Sequence, residues 1–191
     1  MQKNLPRVFL FIDEFNFKNL ASLNKNIDII YRNYKKKINK SILLSLKDFC
    51  RKQKRKFYIS NDIKLAISLD IDGVYIPSFN KKLNFLNIST KKNFSIIGSA
   101  HNKRDVITKN LQNCNLIFLA PLFKTIKKKK NLSVSKFNLI TLGQKKKFIA
   151  LGGINEKNFS QLYLTNSVGF AGIRWLKKNG PRKFLRPFLK I

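Results

Sequence analysis

The sequence predicts a (β/α)8 barrel, and three observations carry that expectation. Short β-branched or aromatic runs recur along the chain, each followed by a polar, helix-compatible stretch. Eight such runs start 17 to 31 residues apart, the size of one βα unit. Most are apolar almost throughout, as strands covered on both faces should be. With no antiparallel hairpin signal, a closed parallel barrel is favoured over an open doubly wound sheet, which composition alone leaves open.

The strands are expected at Val8–Asp13, Asp28–Tyr34, Lys56–Asn61, Gly73–Pro77, Phe94–Ser99, Leu116–Pro121, Lys147–Gly152 and Val168–Ile173. Ile38–Gln53 reads as a helix because Ile42, Leu43, Leu46 and Phe49 recur at helical spacing. Asn61 or Asp62 can cap a helix over Ile63–Leu69, Asn102 one over Lys103–Gln112, and Asn155 one over Glu156–Leu164. The Lys-rich segment 124–131 reads as a mobile loop after the sixth strand. No Pro/Gly/Ser-rich linker interrupts the 191 residues, so the chain is expected to be a single domain over 1–191. That is short for a barrel that typically takes about 250 residues, and it leaves no room for insertions.

Cys50 and Cys114 stand far apart with neither metal-type spacing nor a disulfide pattern. The only apolar run near the start is five residues long, too short for a signal-peptide core, and no run approaches a membrane span. A reducing, cytoplasmic setting without a membrane partner is expected. The net charge of +31 invites a nucleic-acid reading. The 22 Asn, 17 Phe and many Ile and Lys share A/T-only codons, however, and only 8 of the 40 basic residues are Arg. The lysines fall in short scattered clusters (35–37, 81–82, 91–92, 127–130, 145–147), which favours codon bias over a dedicated nucleic-acid surface. The charge would still draw anionic ligands.

Working residues of such barrels sit where strands end. That rule selects Arg32, Asn61, Asp62, Ser78, Asn80, Ser99, His101, Thr125, Lys128, Gly152, Gly153 and Arg174. The segment K-F-I-A-L-G-G-I-N runs a buried strand into two glycines and a capped helix, where backbone N–H groups can hold a phosphate. The next strand ends in Gly172 and Arg174, and a phosphate site between the last two strands is recurrent in these barrels. The alternative is that Gly152 and Gly153 only make the tight turn. His101, the single histidine, suits acid–base work, yet a lone histidine also serves as a structural or solvated residue. Asp62 is either a helix cap or a metal ligand, and one carboxylate alone makes a poor magnesium site. Lys127–Lys130 is either a solvated loop or, with Thr125, a clamp on a pyrophosphate.

Five stretches in register resemble the thiamine-phosphate synthase family and its sister branch, the thiazole tautomerase TenI. Y-I-S-N-D, D-I-D-G-V-Y-I, I-I-G-S-A-H-N, L-A-P-L-F-K-T and A-L-G-G-I-N occur in the family's order. For the synthase branch the resemblance implies a transferase that joins hydroxymethylpyrimidine diphosphate to a thiazole phosphate with magnesium. It places Arg32, Asn61 and Thr125 on substrate-binding positions, Asp62 on a metal position, Ser99 and Lys128 on catalytic positions (Thr125 and Lys128 where the diphosphate is held), and Gly153 in the thiazole-phosphate loop. For the TenI branch it implies a metal-independent isomerisation of a thiazole carboxylate phosphate with a histidine as acid–base, and His101 stands at the matching place. Departures are visible: Asn80 replaces the second metal carboxylate, Asn33 and Tyr34 replace a Glu and a Lys, and Ile173-Arg174-Trp175 replaces I-S-A. The expected ligand is a small phosphate or diphosphate, with Mg2+ weakly held or arriving with the substrate in the synthase reading and no cofactor otherwise. The alternative is a decayed barrel binding an anion or RNA through its lysines.

Overall fold

Alternation along each strand decides how the chain closes. The structure, a computed structural model, describes residues 7–34, 39–83, 91–126, 130–172 and 175–176. Eight parallel strands form a closed barrel in chain order: β1 (Arg7–Ile12), β2 (Ile27–Tyr31), β3 (Phe57–Ser60), β4 (Gly73–Ile76), β5 (Ser95–Ala100), β6 (Leu116–Leu119), β7 (Lys147–Leu151) and β8 (Gly169–Gly172). β8 pairs with β1, Arg7 opposite Gly169 and Leu10 opposite Gly172.

In β1, Phe9 and Phe11 join one buried cluster while Val8, Leu10 and Ile12 join another. The first cluster fills the barrel with Ile30, Tyr58, Tyr75, Ile97, Leu116, Phe118, Ile149 and Ala171. The second lies between the strands and the outer helices. Aromatic rings dominate the interior: Phe9–Phe118, Phe11–Tyr75 and Tyr75–Phe118 meet edge to face with centroids 5.0, 5.1 and 5.7 Å apart.

The helices are α1 (Phe17–Ala21), α2 (Lys40–Lys52), α3 (Ile63–Ser68), α4 (Lys103–Leu111) and α5 (Ser133–Thr141), followed by the 3₁₀ helix Glu156–Leu164. Asn16, Asn39, Asp62 and Asn102 each accept a backbone N–H of the helix they precede, so asparagine-rich composition is put to work as caps. Glu156–Leu164 differs from the α-helix expected there. Its buried residues, Phe159 and Leu162, are three apart, the repeat of a 3₁₀ turn. β2 is also shorter than expected. Beyond the Arg32 N–H bond to the Ile12 carbonyl, β1 has ended and the chain turns out to the rim. Cys50 and Cys114 are both free and buried. Among the described residues no helix is long and apolar enough to cross a membrane.

Two charge arrangements fix the loops. At the exposed end of α3, Asp70 takes ion pairs from Lys91, Arg51 and Lys47. Hydrogen bonds from Lys91 and Arg51 hold its carboxyl down to about 2. In α4, Lys109 is fully buried, its ammonium donating to the Pro77 and Asn80 carbonyls, both at 2.9 Å, and to Gln112 Oε1 at 2.7 Å. Gln112 itself donates to the carbonyls of Asn80 and Lys82. Gly98 opens the path for this side chain, since a Cβ there would meet Cys114 Sγ at 2.7 Å and Lys109 Cδ at 2.8 Å. The loop after β4 thus hangs from α4.

Lys109→Met is expected to lower the unfolding free energy at pH 7 by about 1–3 kcal/mol, because buried acceptors lose their donor; urea midpoints measure it. Burial pushes the Lys109 ammonium down to about 8 in the folded chain, below the unfolded value of about 10.4. A depressed value contributes stability that is complete above the unfolded pKa and lost as pH falls through the folded one. The wild-type chain should therefore gain on the Met variant as pH rises from about 8 to about 10.4.

Candidate functional site

The barrel's aromatic filling ends, at the carboxyl ends of the strands, in a polar layer. Tyr75 is its lowest member. Burial pushes its phenol up to about 12, while the Ser99 hydroxyl and the Arg32 guanidinium, both within reach, pull the other way. Tyr75 is thus a neutral hydroxyl at working pH. Ser99 is buried, and the Arg32 guanidinium lies over the Phe11 ring, 4.6 Å from its centroid. Arg32 and Ser99, both selected from the sequence, thus both act on the Tyr75 phenol. That alternation places a tyrosine inward in G-V-Y-I was a readable signal, since a buried tyrosine hydroxyl seeks a partner.

One wall of the mouth is built by the loops after β2, β3 and β4. Tyr34 bonds Ser60 through their hydroxyls at 2.7 Å, and the Tyr34 ring meets Phe79 at 5.6 Å, nearly perpendicular. Asn80 Nδ2 donates to Asn61 Oδ1 at 2.8 Å. The backbone of Asn61 has a positive φ of 65°, which asparagine tolerates and which turns β3 sharply into the α3 cap. Asp62 accepts the Leu65 N–H at 2.9 Å, so the capping role is real. Of the two positions where the resemblance implies a metal carboxylate, Asn80 then holds an amide already engaged and Asp62 a single carboxylate with one oxygen used. Among the described residues no group of three or more His, Cys, Asp or Glu is placed to hold a metal ion. This donor set does not fit magnesium held by the protein alone.

His101 follows β5 on the opposite wall. Its Nδ1 lies 2.6 Å from the Ala120 carbonyl. A carbonyl can only accept, so Nδ1 carries the proton and the neutral ring keeps its lone pair on Nε2. The His101 backbone N–H donates to Asp105, which also takes Lys81. Burial alone would raise the Asp105 carboxyl, but the Lys81 and His101 donors bring it below its usual value. The imidazole is thus held from both its ring and its backbone.

At the end of β7, Gly152 and Gly153 have φ of 96° and 73°, conformations that glycine adopts without strain. A Cβ on Gly152 would strike Pro121 at 2.8 Å, and one on Gly153 the Lys124 carbonyl oxygen at 2.4 Å. The turn is thereby packed under the segment leading to half-buried Thr125. Both glycines are needed for the turn itself, so replacing Gly153 would disturb the fold and is no clean test of phosphate binding. Asn155 and Asn158 both donate to the Gly153 carbonyl and close the turn. Gly172 is half-buried beside Leu176. Lys128 and Arg174 lie outside the described residues, as do most of the Lys127–Lys130 run and Ile173. Sequence reasoning passed over Ser60, Lys109 and Gln112; only Ser60, at a strand end, carried a positional signal.

Residues 22–176 match a family model described as thiamine monophosphate synthase. A thiamine-phosphate synthase of Prochlorococcus marinus is 30% identical over 122 residues, 61% of this chain and 34% of that protein. Another, of Flavobacterium psychrophilum, is 28% identical over 140 residues, 66% of each. The chain spans about a third of the length of the first curated relatives it matches. The solved thiamine phosphate pyrophosphorylase from Pyrococcus furiosus shares the fold, with a TM-score of 0.75, 17% identity and 98% of both chains covered. With seven of its eight strands, its glycine turn and its histidine inside the matched region, this chain belongs to the thiamine monophosphate synthase family.

Proposed function

We propose that this single-domain barrel is a thiamine-pathway enzyme that binds a thiazole phosphate at its mouth and moves a proton on it, in the manner of the TenI branch. The observation that carries the reading is His101, whose Nδ1 is fixed on the Ala120 carbonyl so that Nε2 is the working nitrogen. Nε2 takes a proton from one position of the thiazole, and the imidazolium returns it at another. Substrate and product differ only in the proton's place, and the histidine ends as it began. Arg32 supplies a fixed positive charge for an anionic substituent. The phosphate is assigned to the turn at Gly152 and Gly153, and the strand-end pattern of the sequence adds Gly172 and Arg174 to the assignment. Arg174→Ala is the suitable probe there, since it leaves the glycine turn alone.

A second reading, the diverged synthase, is favoured by Asn61, Asp62 and Ser99 standing on the family's positions, with Thr125 and Lys128 assigned to the diphosphate. In that reading magnesium arrives with the diphosphate, because the protein offers Asp62 alone. A decayed barrel that binds RNA through its lysines is distinguished by salt. Its affinity should fall steeply as salt rises, whereas a pocket for one phosphate is affected less.

The two chemistries predict opposite orders among three variants. For the tautomerase, His101→Asn should cost about 10²–10⁴ in turnover, more than Arg32→Ala or Lys128→Ala. For the synthase, where electrostatic stabilisation of the departing pyrophosphate dominates, the order reverses. Assaying both reactions under saturating substrates separates them, and turnover of neither would refute both. The metal gives an independent check. Asn80→Asp, with Asn61 turning its amide to donate, should tighten magnesium binding in the presence of a diphosphate and raise any synthase turnover. Calorimetric titration showing no change would remove Asn80 from the metal position.

A further inference from the structure

The mouth carries two large aromatic side chains that the mechanism above does not use. Phe79 is 63% exposed and Tyr34 54% exposed, although each would gain by burial. Exposed aromatics are ordinary when scattered. These two are paired and held on both flanks. The Tyr34 hydroxyl is tied to Ser60, and the Phe79 loop hangs from Lys109 and Gln112 through the Pro77, Asn80 and Lys82 carbonyls. The rings stand nearly perpendicular, with centroids 5.6 Å apart, and both remain largely exposed. Arg32, two residues before Tyr34 on the same loop, holds its guanidinium over the Phe11 ring, 4.6 Å from its centroid; burial raises the Tyr34 phenol, and the Ser60 hydroxyl and this guanidinium offset part of that rise.

The geometry points to Tyr34 and Phe79 as a stacking platform for a planar heteroaromatic ring whose anionic group reaches Arg32. This deepens the reading above, on which it rests for the ligand's class, by assigning the ring of the substrate to Phe79 and to Tyr34, which stands where the resemblance places a lysine. The arrangement fits such a ligand on three counts. A flat π-face is what an edge-to-face pair accepts. A fixed cation beside it selects rings that carry negative charge. Rigid anchoring of both rings reduces the entropy lost when a ligand is held.

Two probes separate ring recognition from anion recognition: hydroxymethylpyrimidine diphosphate and inorganic pyrophosphate, each titrated calorimetrically into the full chain with magnesium. The wild type should bind the heteroaromatic probe more tightly. Phe79→Leu keeps an apolar side chain but removes the π-face, and should weaken that probe about three- to tenfold while leaving pyrophosphate unchanged. Phe79→Tyr should restore the affinity. Tyr34→Phe keeps the ring and should cost less than Tyr34→Leu. Phe79 is exposed, so these variants should fold, and a thermal scan verifies it. The proposal is overturned if Phe79→Leu binds the ring as tightly as wild type, if both probes weaken together, or if the wild type does not distinguish them. Ring-selective binding without turnover in either reaction would instead overturn the enzymatic reading and leave the platform standing.

Discussion

The edge-to-face packing of Phe11, Tyr75 and Phe118 inside the barrel is the contact on which the mouth depends. These rings form a floor across the barrel interior, joining β1, β4 and β6. Everything polar stands on it. Arg32 rests on the Phe11 face, and Ser99 is buried near the Tyr75 phenol. A barrel filled by smaller aliphatics would close equally well, but it would leave a guanidinium and a serine without a surface to set their height.

Above the floor, the two walls are joined through one helix. α4 begins just after His101 and holds it through Asp105, and the same helix reaches back through Lys109 and Gln112 to the loop bearing Phe79 and Asn80. His101 and the aromatic wall therefore share one support. Their relative placement is set by packing in the barrel's outer layer. These supports keep the loops at this end of the barrel in order.

The strands and most helices were legible because their signals are local: apolar runs such as L-I-F-L, and asparagines placed just before a helix. The barrel topology followed from repetition of one unit. Legibility failed where the decisive partner lies far away in sequence. Lys109 reads as one more polar residue on a weakly amphipathic helix, and only Gly98, eleven residues earlier on another element, makes space for it. Tyr34 reads as a strand residue because its neighbours are β-formers, yet β2 loses its partner when β1 ends. Asp62 was ambiguous by nature, since the carboxylate that caps a helix and the one that binds a cation look alike in a sequence. The Leu65 N–H answers half of that question by occupying one oxygen.

The Asp70 cluster bears on how such a chain can change over generations. Nine acidic residues serve forty basic ones, so anions are the scarce resource. Asp70 alone gathers Lys47, Arg51 and Lys91, which belong to α2 and to the approach to β5. Exchange of an exposed lysine subtracts one cation from a surplus. Exchange of Asp70 turns three cations on one another across two elements that it otherwise binds together. Mutational tolerance in this protein is therefore lopsided: drift can rewrite its many lysines at small cost, while its few carboxylates are the positions where one codon change unsettles several parts of the fold at once.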